Sequence, residues 1–408
     1  MAKGTENPFR PGAGHSPPYL AGREQEVKKF RDEILSQEVI FKNVVLTGLR
    51  GVGKTVLMDD RFKPEALRLG WAWVGSDFSE TSFLSETNLC TRLLTDLAVL
   101  SSTLSATPPA NVLGFQAGPD QKPLTYDFLV GYFEGQAGLM VDKLKSLLEF
   151  VWQAAEKRGI KGIVFAYDEA QVVADQKEKE EYPLALLLEA FQSLQRKGAR
   201  CLLLLTGLPT LFPKLVESRT YAERMFVVQE IGRLSQTESK EAITFPLKKK
   251  EYNWQFAERS IDTIIKASDG YPYFIQFICR AAFDFILFNS PSSSIPIEPI
   301  IRQLDSNFFA GRWETLTDRQ RDLLYCIAQL NVDDGEFTIP EIVVSSEKTA
   351  KQIKPFLRND VSQMLPRLIE KGLLYKNRYG KYSFAVPLLG RFVNRKYDSP
   401  NIQKTLFE

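Results

Sequence analysis

Gly48-Leu49-Arg50-Gly51-Val52-Gly53-Lys54-Thr55 is a complete phosphate-binding loop, and no other feature of the chain constrains its fold as much. The residues before it, Asn43-Val44-Val45-Leu46-Thr47, read as a short buried strand, and Val56-Leu57-Met58-Asp59-Asp60 behind it can start a helix. In that order the glycines let the backbone wrap a phosphate with N–H groups pointing inward, and the helix N-terminus adds the positive end of its dipole. The lysine of such a loop reaches the β- and γ-phosphates, and its hydroxyl residue holds Mg2+. Lys54 and Thr55 occupy those places here, with Gly48, Leu49, Arg50, Gly51, Val52, Gly53 and Val56 completing the cradle. The loop implies a site for a nucleoside triphosphate.

Around it the pattern is α/β. Trp71-Ala72-Trp73-Val74, Ile163-Val164-Phe165-Ala166-Tyr167 and Cys201-Leu202-Leu203-Leu204-Leu205 read as strands, and residues 23–35, 80–100, 139–157 and 184–197 carry helical spacing. The strands are apolar throughout rather than alternating, which predicts a parallel sheet covered on both faces. Residues 101–122, polar and punctuated by Pro and Gly, read as an exposed loop. After residue 233 the strand signals fade, the chain reads as helical to Phe288, and a Ser-Pro run follows. The predicted organisation is an extended segment 1–18, a P-loop domain 19–232, a helical lid 233–310 and a C-terminal domain 311–408.

Composition narrows the chemistry. His15 is the only histidine and the four cysteines form no CxxC pair, which argues against histidine triads, zinc sites and a disulfide framework. A formal net charge of +2 makes any basic surface local. With no long apolar run and no charged-then-apolar leader, neither a membrane span nor a signal peptide is expected, and the cytoplasm is the expected location.

A second acidic element completes the pattern. Ile163 to Tyr167 leads into Asp168-Glu169, an apolar strand ending in paired carboxylates. Asp168 can order the Mg2+ shell, and Glu169 is placed to polarise an attacking water. Thr206, at the tip of the Cys201–Leu205 strand, is either a sensor of the γ-phosphate or a cap of the following turn. Asp168-Glu169-Ala170-Gln171 echoes a helicase box, with no further helicase motif beside it.

Tyr19-Leu20-Ala21-Gly22-Arg23-Glu24, the P-loop, Asp168-Glu169, Leu205-Thr206-Gly207-Leu208-Pro209 and Gly270-Tyr271-Pro272-Tyr273 together resemble the AAA+ ATPases of the origin-recognition type. The similarity is nearest to their prokaryotic relatives with a C-terminal winged helix, and it runs from about residue 19 to 397. It implies that Tyr19 and Leu20 line the adenine pocket, and that ATP is the nucleotide. Gly270-Tyr271-Pro272-Tyr273 stands where that family carries a sensor arginine; this form is similar to the signal-transducing STAND ATPases, in which the proline contacts the nucleotide, here Pro272. Arg219 and Arg224 lie where the family presents an arginine to a neighbour's γ-phosphate, with Arg224 slightly favoured.

Residues 316–384 read as three helices and a hairpin, a winged helix. Between Ser345 and Tyr397 twelve Lys or Arg face three acids, a basic module hidden in a nearly neutral chain. Arg358 and Arg367 on the third helix, with Lys376, Arg378 and Lys381 at the wing, are the candidate DNA contacts. Two readings follow. One is an ATPase that switches its grip on double-stranded DNA, with self-association through shared ATP sites. The other is a STAND-like signalling, defence or mobile-element regulator that gates a protein partner.

Overall fold

The structure, a computed structural model, describes residues 6–12, 15–36, 42–78, 85–106, 122–250, 252, 254–287, 294–332 and 335–398. The chain divides into two compact units, Arg23–Gly48 with Lys54–Ile231, and Met1–Gly22 with Leu49–Gly53 and Gly232–Glu408.

The first unit is built on five parallel strands: β1 (Asn43–Thr47), β2 (Ala72–Asp77), β3 (Ile163–Asp168), β4 (Cys201–Gly207) and β5 (Phe226–Glu230). Their order is β2-β3-β4-β1-β5, so β4 separates the phosphate-loop strand from the strand ending in Asp168. Every residue of β1, β3 and β4 is buried, which is why these strands are continuous apolar runs in the sequence. Asn43 is the polar exception at the start of β1. Its Oδ1 accepts from Leu203 N–H at 2.8 Å and from Gln195 Nε2 at 2.7 Å, so its burial leaves that oxygen satisfied. The edge strand β5 was not foreseen.

Helices Glu86–Ser101, Met140–Lys157 and Pro183–Arg196 pack on this sheet. Phe165 meets Phe191 edge-on at 5.0 Å, and Tyr167 stacks on Phe78 at 4.3 Å. An additional helix, Tyr126–Glu134, starts at an N-cap supplied by Thr125. Most of the loop expected over 101–122 lies outside the described residues; its two ends, Ser105–Ala106 and Lys122–Pro123, pair as a short antiparallel bridge.

The second unit contains helices Gln236–Lys249, Glu258–Ser268 and Pro272–Leu287. The described residues of the N-terminal segment form no helix or strand, and one aromatic anchors them. Phe9 is fully buried beside Phe256 and Phe283, and Asn7 Nδ2 donates to Asp284 Oδ1 at 2.7 Å. A helical run from Ile297 to Glu314 crosses residue 310. Helices Asp318–Ala328, Ile339–Lys348 and Arg358–Glu370 follow, then an antiparallel hairpin of β6 (Leu374–Arg378) and β7 (Lys381–Phe384). Thr317 and Gln320 form the capping box read from the sequence, with both reciprocal bonds present. A last helix, Leu389–Asp398, closes the module and was not anticipated. No helix among the described residues is long and apolar enough to cross a membrane.

Candidate nucleotide site and basic surface

The candidate chemistry of the first unit gathers at the carboxyl ends of adjacent parallel strands, where crevices form in such sheets. Asp168 ends β3 and is 4 % exposed. Because β4 lies between β3 and β1, Thr206 stands next to it, and the Thr206 hydroxyl donates to Asp168 Oδ1. The Thr55 hydroxyl donates to Oδ2, and Glu169 N–H donates to Oδ1 at 2.7 Å. Three donors thus fix one carboxylate. Lys54 opens the helix Lys54–Leu57, is buried, and its Nζ donates to Gly48 O at 3.0 Å. Val52 is buried; Leu49, Gly53 and Val56 are half-buried.

Glu169 has a left-handed backbone, φ 51°, unusual for a residue with a Cβ and a mark of local strain. Gln171, visible in the sequence only as part of the Asp-Glu-x-x echo, positions it. The Gln171 amide donates to Glu169 Oε2, its own Oε1 accepts from Leu208 N–H at 3.1 Å, and Lys214 Nζ donates to its carbonyl at 2.7 Å. The acidic side of the site is crowded. Burial pushes the Asp59 carboxyl up; Lys63 opposes this, while the Asp168, Asp77 and Asp60 carboxylates add to it. Among the described residues no three His, Cys, Asp or Glu are grouped to hold a metal. Hard oxygens from Thr55 and Asp168 in a negative environment fit Mg2+, which takes one or two protein ligands and completes its shell with phosphate and water.

The crown of the phosphate loop, Leu49–Gly53, belongs to the second unit. Gly51 has φ 79°, and a Cβ there would stand 3.1 Å from Tyr273 Cβ. Its carbonyl accepts from Tyr273 N–H at 3.3 Å. That donor is free because it lies in the first turn of Pro272–Leu287, where backbone N–H groups have no helical partner. Pro272, first in the helix, has no N–H to lose. Gly270 permits the turn: its φ is 75° and a Cβ would meet Leu234 O at 2.4 Å. Tyr19 stacks on Phe245 at 4.4 Å between ring centroids, and Leu20 is half-buried.

The two candidate fingers differ. Arg219 faces Glu189 at 3.8 Å and donates to Ser218 O at 3.1 Å, whereas Arg224 is exposed and has no carboxylate partner among the described residues. In the C-terminal module Arg358 and Arg367 are exposed in the first and last turns of their helix. Lys376 is exposed, with Nζ 5.8 Å from the Tyr379 ring, and Tyr379 is 97 % exposed at the hairpin tip. Lys381 is half-buried, and the Arg378 side chain lies outside the described residues. The basic excess counted from the sequence overstates the outward charge. Arg391 pairs with Asp269 at 3.4 Å, Arg395 Nε donates to Asp305 Oδ2 at 2.9 Å, and Lys371 Nζ donates to Thr315 O at 2.9 Å.

A phosphate loop after β1, paired acids at the carboxyl end of β3 and a strand inserted between them define a P-loop NTPase fold of the AAA+ type. Solved structures place it more closely. The chain shares its fold with a Walker-type ATPase of Pyrococcus abyssi, at 17 % identity and a TM-score of 0.57, over 92 % of this chain and 96 % of that one. It also shares it with the ORC2 protein of Aeropyrum pernix in its ADP form, at 14 % identity and a TM-score of 0.55, over 95 % and 98 %. The ADPNP–ADP complexes of that ORC2 protein give 14 % and 0.53, over 95 % and 96 %. The fold is that of the origin-recognition-type AAA+ ATPases. A family described as a domain of unknown function, DUF8462, matches residues 306–393. No curated protein matches the sequence.

Proposed function

We propose that this protein binds ATP with Mg2+, hydrolyses it slowly to ADP and phosphate, and uses the nucleotide state to change its grip on double-stranded DNA. The observation that carries the ATPase reading is the convergence of Thr55, Thr206 and Glu169 N–H on the Asp168 carboxylate beside a complete phosphate loop. Mg2+ held by Thr55 and Asp168 would neutralise charge on the phosphates. Lys54 would add a second positive charge at the β- and γ-phosphates. Glu169, aimed by Gln171, would orient the water and accept its proton as the water oxygen bonds to the terminal phosphorus and the bridging oxygen departs with ADP. Arg224, open on the surface, would serve a second copy's nucleotide. Tyr19, Leu20 and Pro272 would contact the nucleotide as the family resemblance implies.

For DNA, exposed Arg358, Arg367 and Lys376, with Lys381 and Arg378, supply phosphate contacts, and Tyr379 supplies an apolar tip. A second reading, a STAND-like switch gating a protein partner, is favoured by the Tyr273-to-Gly51 bond and by Arg391 and Arg395 turned toward Asp269 and Asp305 rather than outward. A titration of duplex DNA against the full chain with ATP, with ADP and with neither separates them. The DNA reading expects a salt-dependent affinity that differs between ATP and ADP. Absence of DNA binding in every state, with ATP-gated oligomerisation, would replace it by the second.

A further inference from the structure

The helix Arg358–Glu370 precedes the β6–β7 hairpin of the C-terminal module, and its two faces divide sharply. Val361, Leu365 and Leu368 form its buried stripe. At about 3.6 residues per turn the line opposite that stripe runs through Asn359, Gln363, Pro366 and Glu370, all of them exposed. Arg358 and Arg367, also exposed, lie to either side of this line. Two further polar side chains are tied to the helix itself. Asp360 Oδ2 accepts from Leu357 N–H at 3.2 Å, and Ser362 Oγ donates to Arg358 O at 3.0 Å. The amides of Asn359 and Gln363 have no hydrogen-bond partner among the described residues.

All these residues belong to one unit. Four residues of helix rise about 6 Å, which spaces the two amides for base pairs one or two steps apart at about 3.4 Å per step. The major groove admits an α-helix, and a helix lying in it presents its first turns to base edges. A carboxamide matches adenine there: its N–H donates to N7 and its carbonyl accepts from the N6 amino group. Arg358 and Arg367 on the flanks, with exposed Lys376 on the hairpin, supply the positive charge that a groove walled by phosphates requires. Pro366 offers no donor, and Glu370 lies about 16 Å further along the helix than Asn359, away from the turns that meet bases.

We propose that Asn359 and Gln363 are specificity-determining residues that read two adenines, one or two base pairs apart, in the major groove of duplex DNA. This rests on the DNA-binding reading above and adds a sequence preference to it: the arginines fix position on the backbone, whereas the amide pair selects the site. Neither residue belongs to a sequence motif. The pair is defined by the helix face the two share and by the bonds that tie Asp360 and Ser362 elsewhere.

The test uses the full chain and a pool of duplexes randomised over their central positions. Selection with the wild-type protein should enrich adenines one or two steps apart. Replacing those adenines by 7-deazaadenine removes the N7 acceptor and keeps Watson–Crick pairing. It should lower wild-type affinity by about fivefold or more, the lower end of what a bidentate base contact is worth. The double variant Asn359→Ala, Gln363→Ala should lose at least as much on the selected duplex, respond no further to 7-deazaadenine, and keep wild-type affinity for an unrelated duplex. Gln363→Arg should move the preference at its base pair from adenine to guanine. A selection that enriches no adenine, or a double variant as sensitive to 7-deazaadenine as the wild type, would overturn the proposal. So would equal losses on every duplex, which would make the pair phosphate contacts. If the wild-type chain binds no duplex, the DNA-binding reading itself falls and takes this one with it; binding without base preference defeats this proposal alone.

Discussion

Replacing Glu169 by Gln changes the charge beside Asp168 while keeping side-chain length and the strained left-handed backbone. The carboxylate is the only group of the pair left to act on water, because Asp168 is occupied by Thr55, Thr206 and Glu169 N–H. Loss of a positioned general base lowers rate by roughly 10²- to 10⁴-fold. At the usual conversion that is about 3–5 kcal/mol of barrier. Stability should change far less, since the amide oxygen can still accept from Gln171 and only the charge assistance of that bond is lost, about 1 kcal/mol. Glu169→Gly is the companion. It releases a left-handed penalty of about 1–2 kcal/mol. Against this stand the missing Gln171 bond and the extra unfolded-state freedom of glycine, roughly 0.5–1 kcal/mol. Both variants should therefore unfold near the wild-type urea midpoint, bind ATP, and release phosphate slowly in single-turnover assays. A Gln variant that hydrolyses ATP within about threefold of wild type while folded would refute Glu169 as the group acting on water.

Lys54→Ala should abolish measurable triphosphate binding by removing the ammonium that faces the phosphates; wild-type affinity in a nucleotide titration would reject the phosphate-loop assignment. Thr206→Val deletes one donor to a buried carboxylate, and should destabilise the first unit by about 1.5–3 kcal/mol in urea unfolding; an unchanged midpoint would show that the hydroxyl does not hold Asp168. Phe9→Ala empties a fully buried ring site and should cost the second unit about 3–5 kcal/mol, read by denaturant unfolding with ATP affinity as a control. Changing Arg358, Arg367 and Lys376 together to Ala should reduce the salt slope of DNA binding by about 2.7, at about 0.9 for each phosphate no longer neutralised; an unaltered slope would remove this surface from the DNA reading.

Much of the fold was legible because its central strands are buried on both faces and carry uninterrupted apolar runs. Glycine and lysine in the loop, and two acids after Tyr167, mark the ends of two of those strands by residue type alone. The hydroxyl at Thr206 was readable as a strand-tip residue, but its bond to Asp168 depends on β4 lying between β1 and β3, which is a matter of strand order. The edge strand β5 is short and partly exposed, so its residues lack the unbroken apolar signature. Gln171 owes its role to a turn geometry that no periodicity encodes. Local charge counting failed for Arg391 and Arg395 because their partners, Asp269 and Asp305, come from earlier helical segments. Phe9 was hidden for the opposite reason: a segment without periodicity can bury one ring through tertiary packing alone.

The central claim is that the nucleotide on the phosphate loop decides how the chain holds DNA. The direct measurement compares the Glu169→Gln variant loaded with ATP and the wild-type protein loaded with ADP on the same duplex, at two salt concentrations. The account predicts affinities that differ by about tenfold or more between the two states, as expected for a switch with a typical coupling energy, and that both fall as salt rises. Equal affinities in the two nucleotide states would contradict it.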